Sequence, residues 1–406
     1  MTHGYKKIFK WWAAGLAWFL LLLWPLIGIT PDGLVFADTL RVWGYVAVAS
    51  ALCLFLWILK REGALGFIGR PLAAAQDSAR AVYARTPKWL VFLALFVGAA
   101  IPPFVAGRYF LDVAINVCIY ICLGLGLNIV VGLCGLLDLG FIAFYGVGAY
   151  TYALMSIHFG APFWLCLPLA GGLACLAGCL IGYPTLRMRG DYLAIVTLGF
   201  GEIVRLILNN WMSLTNGPNG ILGIKAPGIW WPSFADGFTM EHLLLKKLPY
   251  MYAIALGLTI FTILAVYRLN HSRIGRAWEA IREDETAAEL MGVNTFKLKL
   301  LAYGMGAVFG GLAGAYFAAR MRFVSPNSFS FIESAMVLAM VVLGGMASIP
   351  GVIVGALALI ALPEIFRDFE MYRMLAFGAA MTVMMLFRPK GIIPAARYGQ
   401  RSEEQH

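Results

Sequence analysis

Apolar runs of about 20 residues recur along the chain, and each is long enough for a helix to cross a bilayer core of about 30 Å. This feature constrains the fold more than any other. Lipid offers no partner for backbone N–H and C=O groups, so only helices and closed barrels span it. The runs here are continuous rather than alternating, which selects helices. Of 406 residues, 61% are hydrophobic and 13% are charged, whereas a soluble domain carries about 25% charge. Such a chain cannot cover itself with polar surface. The expected fold is an all-α polytopic membrane protein with about 10–12 transmembrane helices.

The pattern places helices at about 11–29, 40–59, 89–107, 111–131, 139–158, 163–183, 192–210, 250–268, 300–319, 334–362 and 371–387. The first run, from Trp11 behind Lys6, Lys7 and Lys10, exceeds a signal-peptide core of roughly 7–15 residues and is read as a retained helix. The net charge of +10 resides between the runs, as the positive-inside rule requires, and gives no reason to invoke nucleic acid. It puts residues 60–88, the stretch 269–299 and the tail with Arg388, Lys390, Arg397 and Arg401 in the cytoplasm. Both termini are then cytoplasmic, and the Trp/Pro-rich stretch 211–249 is outside.

One uninterrupted span at 334–362 would put the basic tail on the wrong side. Gly344-Gly345 and Ile349-Pro350-Gly351 break helices, so a broken or re-entrant segment is expected near 334–351. Irregular backbone at membrane depth survives only where it is buried in protein or lines a cavity. The segment is therefore expected to border a translocation path. Gly178/Gly182, Gly306/Gly310/Gly314 and Gly351/Gly355 are spaced four apart, which lets helix backbones approach closely. The seven cysteines include no C-x-x-C and have no nearby His; they read as packing residues, with no metal site.

The stretch 272–299 differs from its surroundings. Ile274, Ala277, Trp278 and Ile281 form one apolar face at helical spacing, and Arg276, Glu279, Arg282 and Glu283 cover the other side. The chain breaks near Asp284-Glu285. Thr286 and Glu289 are spaced as a capping box for a second short helix, Gly292 is placed to end it, and Asn294 or Thr295 can cap the next span. Two helices too short to stand alone need a surface to pack on. A pair lying on lipid headgroups is one reading. Glu279, Glu283, Asp284, Glu285 and Glu289 would be repelled by anionic lipid, which favours a protein partner.

Ala287-Ala288-x-x-x-Gly292 resembles the core of the coupling loop of ABC importer permeases. Gly275 through Asp284 (GRAWEAIRED) resembles the branched-chain amino acid, LivM-type branch, as do Gly190–Phe200, Asn216–Gly220, Phe323–Pro326, Glu333-Ser334, Val342–Met346 and Arg388–Gly391. The order of these matches, from about 108 to 394, reinforces the resemblance. One departure is Asp138-Leu139-Gly140, where many members have Ser-Leu-Gly. The resemblance implies an N-terminal extension over 1–88 with two transmembrane helices and a basic loop, a permease core over 89–394 and a cytoplasmic tail over 395–406.

The same resemblance implies a permease subunit in the bacterial inner membrane that moves Leu, Ile or Val inward. It would pair with a LivH-like permease, two cytoplasmic ATPases and a periplasmic binding protein. This chain has no G-x-x-x-x-G-K-[ST] loop, so it cannot be the ATPase; the resemblance implies a non-catalytic transport subunit that binds no cofactor itself, with ATP and Mg on the partners. Gly275, Arg276, Glu279, Arg282, Glu283, Asp284, Ala287, Ala288 and Gly292 are the expected coupling residues. Polar residues within spans are functional candidates because burying them is expensive. Those expected along the path are Asn128, Tyr145, Tyr150, Thr197, Glu202, Arg205, Asn209, Glu333 and Ser334. For Glu202 and Arg205, a mutually satisfied pair that fixes packing is the plainer reading. Urea or another small solute on the same architecture, and an ion-coupled secondary transporter, remain the alternatives. The scattered histidines and the absence of H-E-x-x-H argue against a membrane enzyme.

Overall fold

The computed structural model describes residues 29–30, 33–34, 107–188, 190–233, 239–245, 247–361 and 391–393. The expected spans at about 11–29, 40–59, 89–107 and 371–387 lie outside these residues, apart from edge positions, as do the basic loop 60–88 and the tail. The chain divides into two compact units, Met1–Val97 and Gly98–His406. In the first, Ile29–Thr30 pairs antiparallel with Gly33–Leu34.

The second unit is a helical bundle. Helix α1 (Arg108–Leu127) runs into a π-helical segment, Asn128–Leu133. Helices α2 (Ile142–His158), α3 (Phe163–Thr185) and α4 (Asp191–Asn210) follow. After a loop over 211–247 come α5 (Leu248–Asn270), the short α6 (Arg273–Glu283) and α7 (Glu285–Leu290), and the long α8 (Thr295–Met321). Among the described residues, five helices are long and apolar enough to cross a membrane: α1 with its π extension, α3, α4, α5 and α8. The chain is a polytopic helical membrane protein.

Helix α8 is central because its surface is small. A Cβ at Gly306 would lie 2.9 Å from the Gly126 carbonyl oxygen of α1. One at Gly314 would overlap the Tyr145 carbonyl of α2, and one at Gly311 would lie 2.7 Å from the Ala170 carbonyl of α3. Three neighbours thus reach van der Waals contact with one helix through its glycines. Where lipid tails are as apolar as leucine, such close packing holds helices together. Asn294 caps α8, its Oδ1 accepting from the Lys297 N–H at 3.1 Å.

The expected break lies at 345–348. Helix α9 (Phe331–Gly344) ends at Gly345, and α10 (Ile349–Ala356) continues as a π turn to Ala361. Ser348 caps α10 by accepting from the Gly351 N–H at 3.1 Å. The two helices form a tight hairpin: a Cβ on Gly344 would overlap the Gly351 carbonyl, and one on Gly355 the Met340 carbonyl. The amides of Ile392 and Ile393 donate to the carbonyls of Leu343 and Gly344 at 2.9 and 3.0 Å, so the C-terminal strip holds the hairpin tip. Helix α9 begins midway along the bundle, where its Glu333 meets Tyr120 of α1.

The loop between α4 and α5 carries local β structure that helical periodicity does not reveal. Strand β1 (Ile221–Leu222) pairs antiparallel with a later strand (Phe323–Val324), closing the end of α8 over the 216–220 turn. Strands β2 (Gly228–Ser233) and β3 (Thr239–Leu244) form an antiparallel hairpin with Gly228 opposite Leu244.

Candidate functional site

Two groups of residues stand out, one at the loop between α5 and α8 and one inside the bundle. The loop is built by caps and anchors. Ser272 caps α6, its Oγ accepting from the Gly275 N–H at 3.2 Å. Gly275 is required because a Cβ there would overlap the carbonyls of Leu269 and Asn270. Trp278 is fully buried, and its Nε1 donates to the Leu298 carbonyl at 2.8 Å, fastening α6 to α8. Ile281 and Ala288 are buried beside it.

The capping differs from the sequence expectation. Asp284 caps α7, accepting from the Ala287 N–H at 3.0 Å; the Thr286/Glu289 box is not used. Asp284 already lies in extended backbone, φ −156°, so its carboxylate reaches the free amides of α7 first. Gly292 ends the helix as expected, with φ +85° and its N–H donating to the Glu289 carbonyl at 2.9 Å.

Arg282 also departs from expectation. It turns inward, and its Nη1 donates to the Gly132 carbonyl at the end of the π segment, 2.7 Å away. That carbonyl lacks a partner in regular helix and is satisfied by the guanidinium. Glu285 is likewise engaged, 2.6 Å from Nζ of the buried Lys299. Arg276, Ala287 and Gly292 face outward, and Glu279 is half-buried. Leu290 and Met291 are each 84% exposed. The sequence reading passed over this pair; the signal was two large apolar residues on a polar helix, immediately before its glycine stop.

Inside the bundle, Tyr145 of α2 packs on Phe317 and Phe329, with centroids at 5.3 and 5.4 Å, and Tyr150 reaches Phe329 at 6.1 Å. The Tyr150 hydroxyl is buried without a hydrogen-bond partner among the described residues. Tyr120 donates to Glu333 Oε2 at 2.6 Å, and Glu333 lies in the first turn of α9, where the helix dipole favours its charge. Arg320, near the C-terminal end of α8, donates to Asn116 and pairs with Asp112. Of the expected path residues, Tyr145, Tyr150 and Glu333 therefore converge. Tyr120, Phe317 and Phe329 complete the group and were missed, because aromatic residues in apolar runs carry no positional signal.

The other expected path residues have different surroundings. Ser334 accepts from the Ile142 N–H at 3.0 Å, and Thr197 accepts from the Leu139 N–H at 3.1 Å while donating to Ala194. Both hold the start of α2. Asp138 does the same, its Oδ1 accepting from the Gly140 N–H at 2.9 Å. Asn128 accepts from the Ala347 N–H at 2.8 Å, at the hairpin tip. Glu202 and Arg205 pair with each other at 2.8 Å, and both are partly exposed on α4. Asn209 lies one turn further along the same helix.

Known proteins resemble this chain over most of its length. The LivM permease protein of the high-affinity branched-chain amino acid transport system of Escherichia coli (strain K12) is 44% identical over 368 residues, 87% of this chain and 86% of its own. Its Salmonella typhimurium counterpart is also 44% identical, over 370 residues with the same coverage. The E. coli LivH permease protein is 26% identical over 296 residues, 68% of this chain and 91% of its own. No solved structure matches. Residues 109–387 match the family described as branched-chain amino acid transport system / permease component, and the chain belongs to that family.

Proposed function

We propose that this chain is a permease subunit of an ATP-driven importer that moves leucine, isoleucine and valine from periplasm to cytoplasm. The observation that carries the reading is the loop of α6 and α7. It is capped, anchored by Trp278 and Arg282, and presents Leu290 and Met291 to the outside. An apolar tip on a rigid mount is a docking element, and a soluble ATPase pair is the partner it fits. The names of the relatives supply the substrate class. Likeness to both LivM and LivH relatives supports a second, LivH-like permease beside it. A periplasmic amino-acid-binding protein would deliver the solute.

In this reading Gly275, Arg276, Glu279, Arg282, Glu283, Asp284, Ala287, Ala288 and Gly292 build the coupling loop. Closure of the ATPases moves it, and the motion switches the bundle between outward and inward access. ATP and Mg are held by those partners. Glu333, Tyr145 and Tyr150, with Tyr120, Phe317 and Phe329, border the path. A partly apolar, aromatic wall suits a branched aliphatic side chain, and one carboxylate suits its ammonium group. The bacterial inner membrane holds the protein with both termini cytoplasmic. Residues 1–88 form an extension to the core at 89–394, and 395–406 form a tail.

Uptake of labelled leucine in cells with and without the gene tests the reading, in a background lacking other leucine systems. Loss of high-affinity uptake on deletion, competed in the wild type by isoleucine and valine, is the expected result. Unchanged leucine uptake with a loss of urea uptake would move the substrate to small amides. Uptake that survives ATP depletion but collapses with the ion gradient would replace the importer with a secondary transporter.

A further inference from the structure

We propose that Arg282, the π-helical segment Asn128–Leu133 and the Asn128–Ala347 hydrogen bond form a mechanical relay from the ATPase-docking loop to the tip of the α9–α10 hairpin. Asn128 is thereby a positioning residue and not a lining of the path. The function of the relay rests on the ATP-driven reading above; its mechanics do not.

Three elements meet at this place. Arg282 of α6 donates to the Gly132 carbonyl at 2.7 Å. Gly132 belongs to the π segment that begins at Asn128. Asn128 Oδ1 accepts from the Ala347 N–H at 2.8 Å. The join leaves no spare room. A Cβ on Gly132 would overlap Asn128 Oδ1 and lie 2.5 Å from the Ala347 nitrogen. One on Gly135 would lie 2.9 Å from Cγ of Arg282. Motion of Arg282 therefore transmits to the end of the π segment by hydrogen bond, and to Gly135, two residues beyond it, by contact.

Two features mark the join as a place of change. A π segment is rare and is frequent at functional sites. Conversion between π and α winding would shift its flank by about 1.5 Å and about 100°, one residue of helix. Ala347 holds φ +64°, a left-handed conformation disfavoured for a residue with a Cβ, and the bond its N–H donates to Asn128 Oδ1 helps to hold it there. Asn128 Nδ2 is buried without a partner among the described residues, and a buried donor left unpaired is costly. The observed arrangement thus carries stored cost at both ends of one hydrogen bond, as expected of an element with two settings.

The test uses the complete importer in proteoliposomes: this chain, its partner permease, both ATPases and the binding protein. Wild type is compared with Arg282→Ala, Asn128→Ala, the double variant and Arg282→Lys. Three quantities are read: labelled leucine uptake, ATP hydrolysis, and amide hydrogen exchange over 345–348. Each alanine variant is expected to lower uptake about tenfold, the worth of one buried hydrogen bond, with hydrolysis kept within about twofold. The double variant should be no worse than the poorer single, because both cut one line. Exchange at Ala347 should rise about tenfold in Asn128→Ala and also in Arg282→Ala, some residues away from it, and Arg282→Lys should recover part of both. Unchanged exchange at Ala347 in Arg282→Ala, or multiplicative losses of uptake, would overturn the relay. Parallel loss of hydrolysis and uptake in Arg282→Ala would assign Arg282 to docking instead. Wild-type complex with no ATP-dependent leucine uptake would defeat the functional reading, while the exchange measurement would still decide the relay. Since Arg282 sits in the loop, its variant also decides the matter if Asn128→Ala does not assemble.

Discussion

Glu333 shows what a single residue contributes. Its carboxylate accepts from Tyr120 across 213 positions of sequence and sits in the first turn of α9. The charge is affordable inside the bundle because a phenol and a helix N-terminus both face it. Glu333→Gln keeps the shape and one acceptor but removes the charge. Leucine uptake by the assembled complex is expected to fall about tenfold or more, since charge-assisted bonds are roughly twice as strong as neutral ones. Tyr120→Phe, which leaves the charge, should cost less. Equal uptake in wild type and Glu333→Gln would remove the residue from the path. Glu333 was legible in the sequence as a lone acid at the edge of an apolar run. Tyr120 was not, because only folding brings α1 to α9.

At the scale of elements, α7 is the informative case. Six residues make a helix too short to persist without support. Its support comes from the Asp284 cap, buried Ala288 and the Glu285–Lys299 pair, which leaves Leu290 and Met291 outward. Substituting both by aspartate should leave insertion of the chain intact, because neither contributes to its core. Pull-down of the ATPase subunits is the measurement, and recovery is expected to fall at least about tenfold. Undiminished recovery would place the docking surface elsewhere. The hairpin of α9 and α10 makes the complementary point. Gly355→Val would drive a branched side chain into the Met340 carbonyl, so the variant should be poorly assembled, as judged by protease resistance in membranes.

On the scale of the whole molecule, two outer helices present different faces. On α3, Leu165, Leu169, Leu173, Leu176 and Leu180 are exposed at helical spacing, a surface suited to lipid. On α4, Tyr192, Ile195, Ile203, Leu206 and Ile207 are exposed, yet the Glu202–Arg205 pair shares that helix and is only partly covered. An ionised side chain against lipid costs about 2.5–3.5 kcal/mol even on the mildest scale. A protein neighbour for α4 relieves the cost, and the second permease of the proposed importer is the candidate. Cysteines at Ile203 or Ile207 should therefore form a cross-linked heterodimer with cysteines in the partner permease, whereas a cysteine at Leu176 should not. Cross-linking through Leu176 alone would reverse the assignment.

The sequence by itself determined that the chain crosses a membrane as helices, that a helix breaks somewhere in 334–351 and that a two-helix loop lies between α5 and α8. These follow from local quantities: the length of apolar runs, the helix-breaking action of Gly and Pro, and the period of polar residues. The family resemblance implies a coupling role for that loop. Only the tertiary structure decided which polar residues act together. Thr197, Ser334 and Asp138 became anchors for the start of α2, Arg282 turned from a solvated face to the Gly132 carbonyl, and Asn128 met Ala347. A polar residue inside a bundle is committed by whichever backbone group the packing brings within about 3 Å. That packing depends on contacts between helices far apart in the chain, which no local pattern records.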